Sequence, residues 1–172
     1  MTDWKQWQGR VVGDNLPLTE YLAGTTESGV FLSVTDSRKL AIKLVPADAS
    51  ANVRLEHWKA DEGLSHPHLL KIHQSGRATI DGVELLYLAM EYADENLSQV
   101  VSQRALTNDE VRQMLTPILE ALEFLHGKGL VHGGVKPGNI MAVGEQLKLA
   151  SVDVMRAGDV VNSPGSYVAP ES

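Results

Sequence analysis

Val131-His132-Gly133-Gly134-Val135-Lys136-Pro137-Gly138-Asn139-Ile140 is the stretch whose reading decides the fold. Its glycines and proline mark a loop that carries His132, Lys136 and Asn139. A helix precedes it. Thr107-Asn108-Asp109-Glu110 is a capping box, and Val111, Leu115, Ile118, Leu122 and Leu125 follow at spacings of four and three. Gly127 and Gly129 end that helix. Pro117 inside it is expected to kink its first turns or split them off. Two short strands are expected after the loop, over residues 140–143 and 146–150, joined by Gly144-Glu145.

Upstream, the first half of the chain alternates short apolar runs with Gly, Asp and Ser turns. Residues 29–34 and 39–45, separated by Thr35-Asp36-Ser37-Arg38, read as an antiparallel hairpin. Residues 83–92 form a further strand, entered through Asp81-Gly82. Residues 49–64 carry good helix formers and run into Gly63 and Ser65-His66-Pro67, which predicts a helix. A sheet with one helix, followed by a mostly helical part, predicts a two-lobe α+β chain. The expected division puts residues 1–93, including an N-terminal extension, in the first lobe and residues 94–172 in the second. Trp4 and Trp7, ahead of the first strand, are candidates to dock on the sheet.

The chain has 172 residues, 43% of them hydrophobic and 22% charged, a balance ordinary for a soluble globular protein. A net charge of -7 recommends neither a nucleic acid nor an anionic membrane surface as partner. The absence of cysteine excludes disulfides, zinc-thiolate sites and cysteine nucleophiles, and it fits a reducing cytoplasm. The apolar run from Leu85 to Met90 is too short to span a bilayer, and the polar N-terminus has no signal-peptide core.

Taken in order, these segments resemble the protein kinase superfamily, in its bacterial Ser/Thr-kinase-like form, over about residues 19–171. The opening stretch resembles the catalytic loop H-R-D-L-K-P-x-N, whose aspartate accepts the substrate hydroxyl proton. Gly133 stands at the arginine and Gly134 at the aspartate; Lys136, Pro137 and Asn139 keep the family spacing. Gly24-Thr25-Thr26-Glu27-Ser28-Gly29-Val30-Phe31 resembles the glycine-rich phosphate loop. Gly24 and Gly29 are retained, Thr26 replaces the middle glycine, and Phe31 replaces the valine as a larger lid over adenine. Leu40-Ala41-Ile42-Lys43 resembles V-A-I-K. Lys43 is then expected to hold nucleotide phosphates and to pair with a helix glutamate, Glu56, while Glu62 faces solvent.

His66-Pro67-His68 resembles the turn into the family's fourth strand, and His57, His66, His68 and His73 fit no common metal spacing. Met90-Glu91-Tyr92-Ala93 resembles the gatekeeper and hinge, where the backbone of Glu91 and Ala93 would read adenine. Ser151-Val152-Asp153 stands at D-F-G, so a neutral serine replaces the magnesium-binding aspartate. If the preceding strand continues, Asp153 lies on the same side as Ser151, about 6–7 Å along, and reaches a metal with Asn139. Residues 165–171 resemble the segment closing in A-P-E. The sequence stops at Ser172, where kinases continue with most of the helical lobe.

The resemblance implies an antiparallel five-stranded sheet with one helix, plus a partial helical lobe. It implies ATP as ligand, with or without magnesium, and Ser151 leads us to expect magnesium-dependent binding to be weak or absent. The expected function is that of a pseudokinase, a binding or regulatory module in signalling without phosphoryl transfer. One alternative is an atypical nucleotide-binding Ser/Thr kinase using Lys43, Lys136, Asn139 and Asp153; another is a fragment with no activity of its own. The 108–126 helix is apolar beyond a single stripe, with Leu115, Ile118, Leu119, Leu122, Phe124 and Leu125. An uncovered face there is expected to meet a protein partner or a second copy.

Overall fold

The apolar runs of residues 29–46 form two paired strands, β4 (Gly29–Thr35) and β5 (Arg38–Pro46), in a computed structural model that describes residues 3–36, 38–152 and 154–158. The other elements of this unit are a 3-10 turn (Trp4–Trp7), β1 (Val11–Val12), β2 (Leu16–Pro17), β3 (Glu20–Gly24), α1 (Ala51–Asp61), β6 (Ile72–Ile80) and β7 (Val83–Glu91). Among the described residues, β3-β4-β5-β7-β6 form a five-stranded antiparallel sheet in that order. Asp81 and Gly82 both have positive φ, 51° and 81°, which suits the tight hairpin between β6 and β7.

The register sorts side chains onto two faces. Phe31 lies opposite Ile42, and Leu44 opposite Tyr87; these residues share a core with Trp4, Trp7, Val12 and Leu18. Trp4 and Trp7 dock on the sheet as expected, their rings edge to face at 5.3 Å. The opposite face carries Ala41, Lys43, Leu88 and Met90. Ser75 stands beside Leu88 on that face and bonds Glu62, at the end of α1, which places the helix there.

The second unit contains β8 (Glu95–Asn96), α2 (Leu97–Gln103), α3 (Asn108–His126), β9 (Leu130–His132), a 3-10 turn (Pro137–Asn139), β10 (Ile140–Val143), β11 (Gln146–Leu149) and β12 (Val154–Arg156). The capping box on α3 is formed: Thr107 Oγ1 accepts from Glu110 N at 3.2 Å, and Thr107 N donates to Glu110 Oε2 at 2.8 Å. α3 runs unbroken through Pro117, so its first turns are not split off. The capping box holds its first turns, and Ile118, Ala121 and Leu125 are buried in a core with Leu149 and Ile140. Gly144, at φ 56°, turns β10 into β11, and β12 pairs with β9.

The two compact units are Met1–Gly63 with Ile72–Tyr92, and Leu64–Lys71 with Ala93–Ser172. A single cut after residue 93 therefore misses one exchange of chain. Residues 64–71 join the second unit because they cover the edge of β11: Leu149 N donates to His68 O at 2.9 Å, and Leu70 N to Leu149 O at 2.8 Å. Among the described residues, no helix is long and apolar enough to cross a membrane.

Candidate functional site

In the first unit the β5–β7 ladder brings Ala41, Lys43 and Met90 onto one face. Ala41 stands opposite Leu32 and Met90, and Lys43 opposite Val30 and Leu88. Met90 is buried and Lys43 half-buried; Glu91 closes β7 opposite Leu40, and Ala93 begins the second unit. Phe31 does not join them. It is fully buried on the other face, its ring edge to face with Tyr21 at 5.5 Å. The pleat explains the correction: Phe31 differs by one residue from Val30 and Leu32, so it points away from the Lys43 face and is no lid there.

The helix supplies different acids from those expected. Glu56 is exposed and makes no hydrogen bond or ion pair among the described residues. Glu62, expected in solvent, is half-buried, and its Oε1 accepts from Ser75 Oγ at 2.6 Å. Asp61 is 5% exposed, and its Oδ2 has no partner among the described residues. Burial raises its carboxyl to about 7, because removing an ion from water favours the neutral acid. The sequence contained a signal for Asp61. Trp58 lies three residues earlier, on the same helical face, and marks that face as buried.

Gly24 and Gly29 pair across the turn between β3 and β4. A Cβ on Gly24 would lie 2.6 Å from the Tyr21 hydroxyl, and one on Gly29 would lie 2.8 Å from the Trp4 ring. Close packing therefore requires both glycines, whether or not a phosphate approaches.

In the second unit, His132 closes the loop. Its Nε2 lies 2.6 Å from Ala150 O, and Gly134 N donates to its Nδ1 at 3.1 Å. A carbonyl can only accept, so the ring proton sits on Nε2. Asn139 is buried, and its Nδ2 donates to Gly134 O at 2.7 Å, while Ala150 N donates to Asn139 O at 2.8 Å. Gly134 brings no side chain to this network, and Lys136 is exposed. Ser151 is 1% exposed and donates its hydroxyl to Leu70 O at 2.9 Å. β11 stops at Leu149, and Val152 lies in a turn, so the strand expected to align Ser151 with position 153 does not continue. Asp153 lies outside the described residues, as do residues 165–171.

His66 and His68 serve packing and turn geometry. Leu69 N donates to His66 O at 3.1 Å, and the His66 ring stacks on Phe124 at 5.0 Å. His68 Nδ1 lies 3.0 Å from Leu147 O, and its Nε2 lies 3.4 Å from Glu120 Oε2. His57 is exposed and His73 half-buried. Sequence reading also missed α2, although Asn96 and Gln99 spell a capping box that the structure forms.

The family profile described as Protein kinase domain matches residues 24–171. The chain belongs to the protein kinase family. A serine/threonine-protein kinase named as probable in Streptomyces coelicolor is 32% identical over 153 residues, covering 78% of this chain and 23% of that protein. The serine/threonine-protein kinase PknA of Mycobacterium tuberculosis is 29% identical over 151 residues, covering 78% of this chain and 35% of that protein. The crystal structure of the M. tuberculosis PknI kinase domain is similar at a TM-score of 0.69 and 25% identity, covering 86% of this chain and 63% of that one. This kinase-family chain thus spans about a quarter to a third of these two curated relatives.

Proposed function

We propose that this chain is a pseudokinase module, which binds or regulates and does not transfer phosphate. One observation carries the reading: the two positions that take the proton and the metal lack the groups for it. Phosphoryl transfer in the family uses an aspartate on the substrate hydroxyl and another on magnesium. Gly134 has no side chain, and the Ser151 hydroxyl is neutral and donated to the Leu70 carbonyl. Magnesium favours anionic oxygen, so Ser151 does not fit it. His132 and Asn139 support the same reading, since both bond the loop's backbone.

Nucleotide fits the retained residues better than metal does. Lys43, Ala41 and Met90 share one face, on which Lys43 offers a cation to phosphates. ATP is therefore the proposed ligand, in a cytoplasmic setting, independent of magnesium. Lys43, Lys136 and Asn139 equally support the alternative of a weak transferase that recruits Asp153. An ATP titration with and without magnesium, followed by melting temperature, tests both readings. The proposal expects a metal-independent shift that Lys43→Ala abolishes. A shift that appears only with magnesium favours the alternative.

A protein partner belongs to the same proposal. Val111, Leu115 and Leu119 recur every four residues along α3 and are 36%, 47% and 58% exposed, whereas Ile118 and Leu125 are in the core. The apolar face open to a partner is narrower than the sequence implied, a single stripe. Light scattering should show association that Leu115→Glu with Leu119→Glu removes; a strict monomer at high concentration contradicts it.

A further inference from the structure

The turn joining β3 to β4 offers fewer backbone donors than its glycines suggest. Thr25 N donates to Ser28 O at 2.8 Å. Thr25 Oγ1 accepts from Glu27 N at 3.1 Å and from Ser28 N at 3.2 Å. Consecutive N–H groups converging on one oxygen is how a backbone nest holds an anion. Here the oxygen is the chain's own hydroxyl. Of the amides of residues 25–28, only Thr26 N lacks a partner among the described residues.

Trp4 fixes the turn from the other end. Its indole Nε1 donates to Thr25 O at 2.8 Å, and its ring is 4% exposed. The ring packs against Gly29 so closely that no side chain fits there. The segment bearing Trp4 is itself anchored. Gly9 N donates to Leu18 O at 2.7 Å, and Tyr21 N to Gln8 Oε1 at 3.3 Å.

We infer that Thr25 and the strap of residues 3–9 form a built-in plug of the glycine-rich turn. The Thr25 hydroxyl takes the place of a nucleotide phosphate oxygen, and Trp4 holds the Thr25 carbonyl so that the turn stays closed. A ligand on the Lys43 face receives no phosphate contact from the Glu27 and Ser28 amides. The inference rests on the family reading, in which this turn cradles phosphates, and it deepens that reading by assigning two specificity-determining residues.

Amide hydrogen exchange tests it on the full chain, with ATP in the presence of EDTA as the probe. In the wild type, the Glu27 and Ser28 amides should exchange slowly, and ATP should not alter them. Thr25→Val, close in shape, should speed both about tenfold, the loss of a hydrogen bond of ordinary strength. ATP should then slow them again. Trp4→Phe, which keeps a ring and deletes the indole N–H, should speed them about threefold. Unchanged exchange in β5 and β7 certifies that the variants are folded. ATP protection of these amides in the wild type overturns the inference. So does unchanged exchange in Thr25→Val, or release there without ATP protection. Failure of the pseudokinase reading registers separately, as transfer of labelled phosphate.

Discussion

His132 and Asp61 are both buried polar side chains, one in each unit, and their surroundings differ in kind. His132 is bonded at both ring nitrogens, to Ala150 O and from Gly134 N. Asp61 has an oxygen with no partner among the described residues. The contrast separates two meanings of a retained polar residue. In the loop, His132, Asn139 and Ser151 each bond backbone and hold it in place. On α1, a carboxyl sits buried at a standing cost. Hydrogen bonding, more than residue identity, marks which buried polar groups hold the fold.

The largest effect should come from His132→Ala. It strands the Ala150 carbonyl and the Gly134 N–H, and denaturant unfolding should show a loss of about 3 kcal/mol. A loss below about 1 kcal/mol would break the comparison, because the loop would then not depend on that ring.

Asp61 comes next, through pH. Its folded-state value of about 7 lies above the roughly 3.9 of an unfolded aspartate. Between these values the folded chain holds the extra proton. Stability is therefore full below about pH 4, falls as pH rises towards 7, and levels off above. Asp61→Asn should flatten that slope and stabilise the protein at pH 8 on the order of 2 kcal/mol. A slope that survives the substitution places the titration elsewhere.

Smaller effects sharpen the picture of α1. Ser75→Ala removes the donor to Glu62 and should cost about 1 kcal/mol. Glu56→Ala, at an exposed position, should change stability by less than about 0.5 kcal/mol. Equal losses at the two positions would contradict the placement of the helix.

Much of this was legible in the residues. The capping box at Thr107, the glycine after β10 and the short apolar runs of β4, β5 and β7 between turn residues are local signals, and the structure follows them. The glycine-rich motif misled at Phe31 because family spacing counts residues, while the pleat assigns faces by parity. The pairing of β12 with β9 and the seat of residues 64–71 on β11 join segments far apart in sequence, where no local pattern speaks. Trp58 marked the buried face of α1, but the type of Asp61 masked that signal, since aspartate on a helix normally reads as solvated.

As we propose, the loop with Gly134, beside a Ser151 turned to the Leu70 carbonyl, holds the fold without transferring phosphate. The most direct measurement is incubation of the chain with γ-labelled ATP and magnesium, scoring label in protein and in released phosphate. Neither should rise above a protein-free blank. Label in either pool that disappears in Lys43→Ala would contradict it.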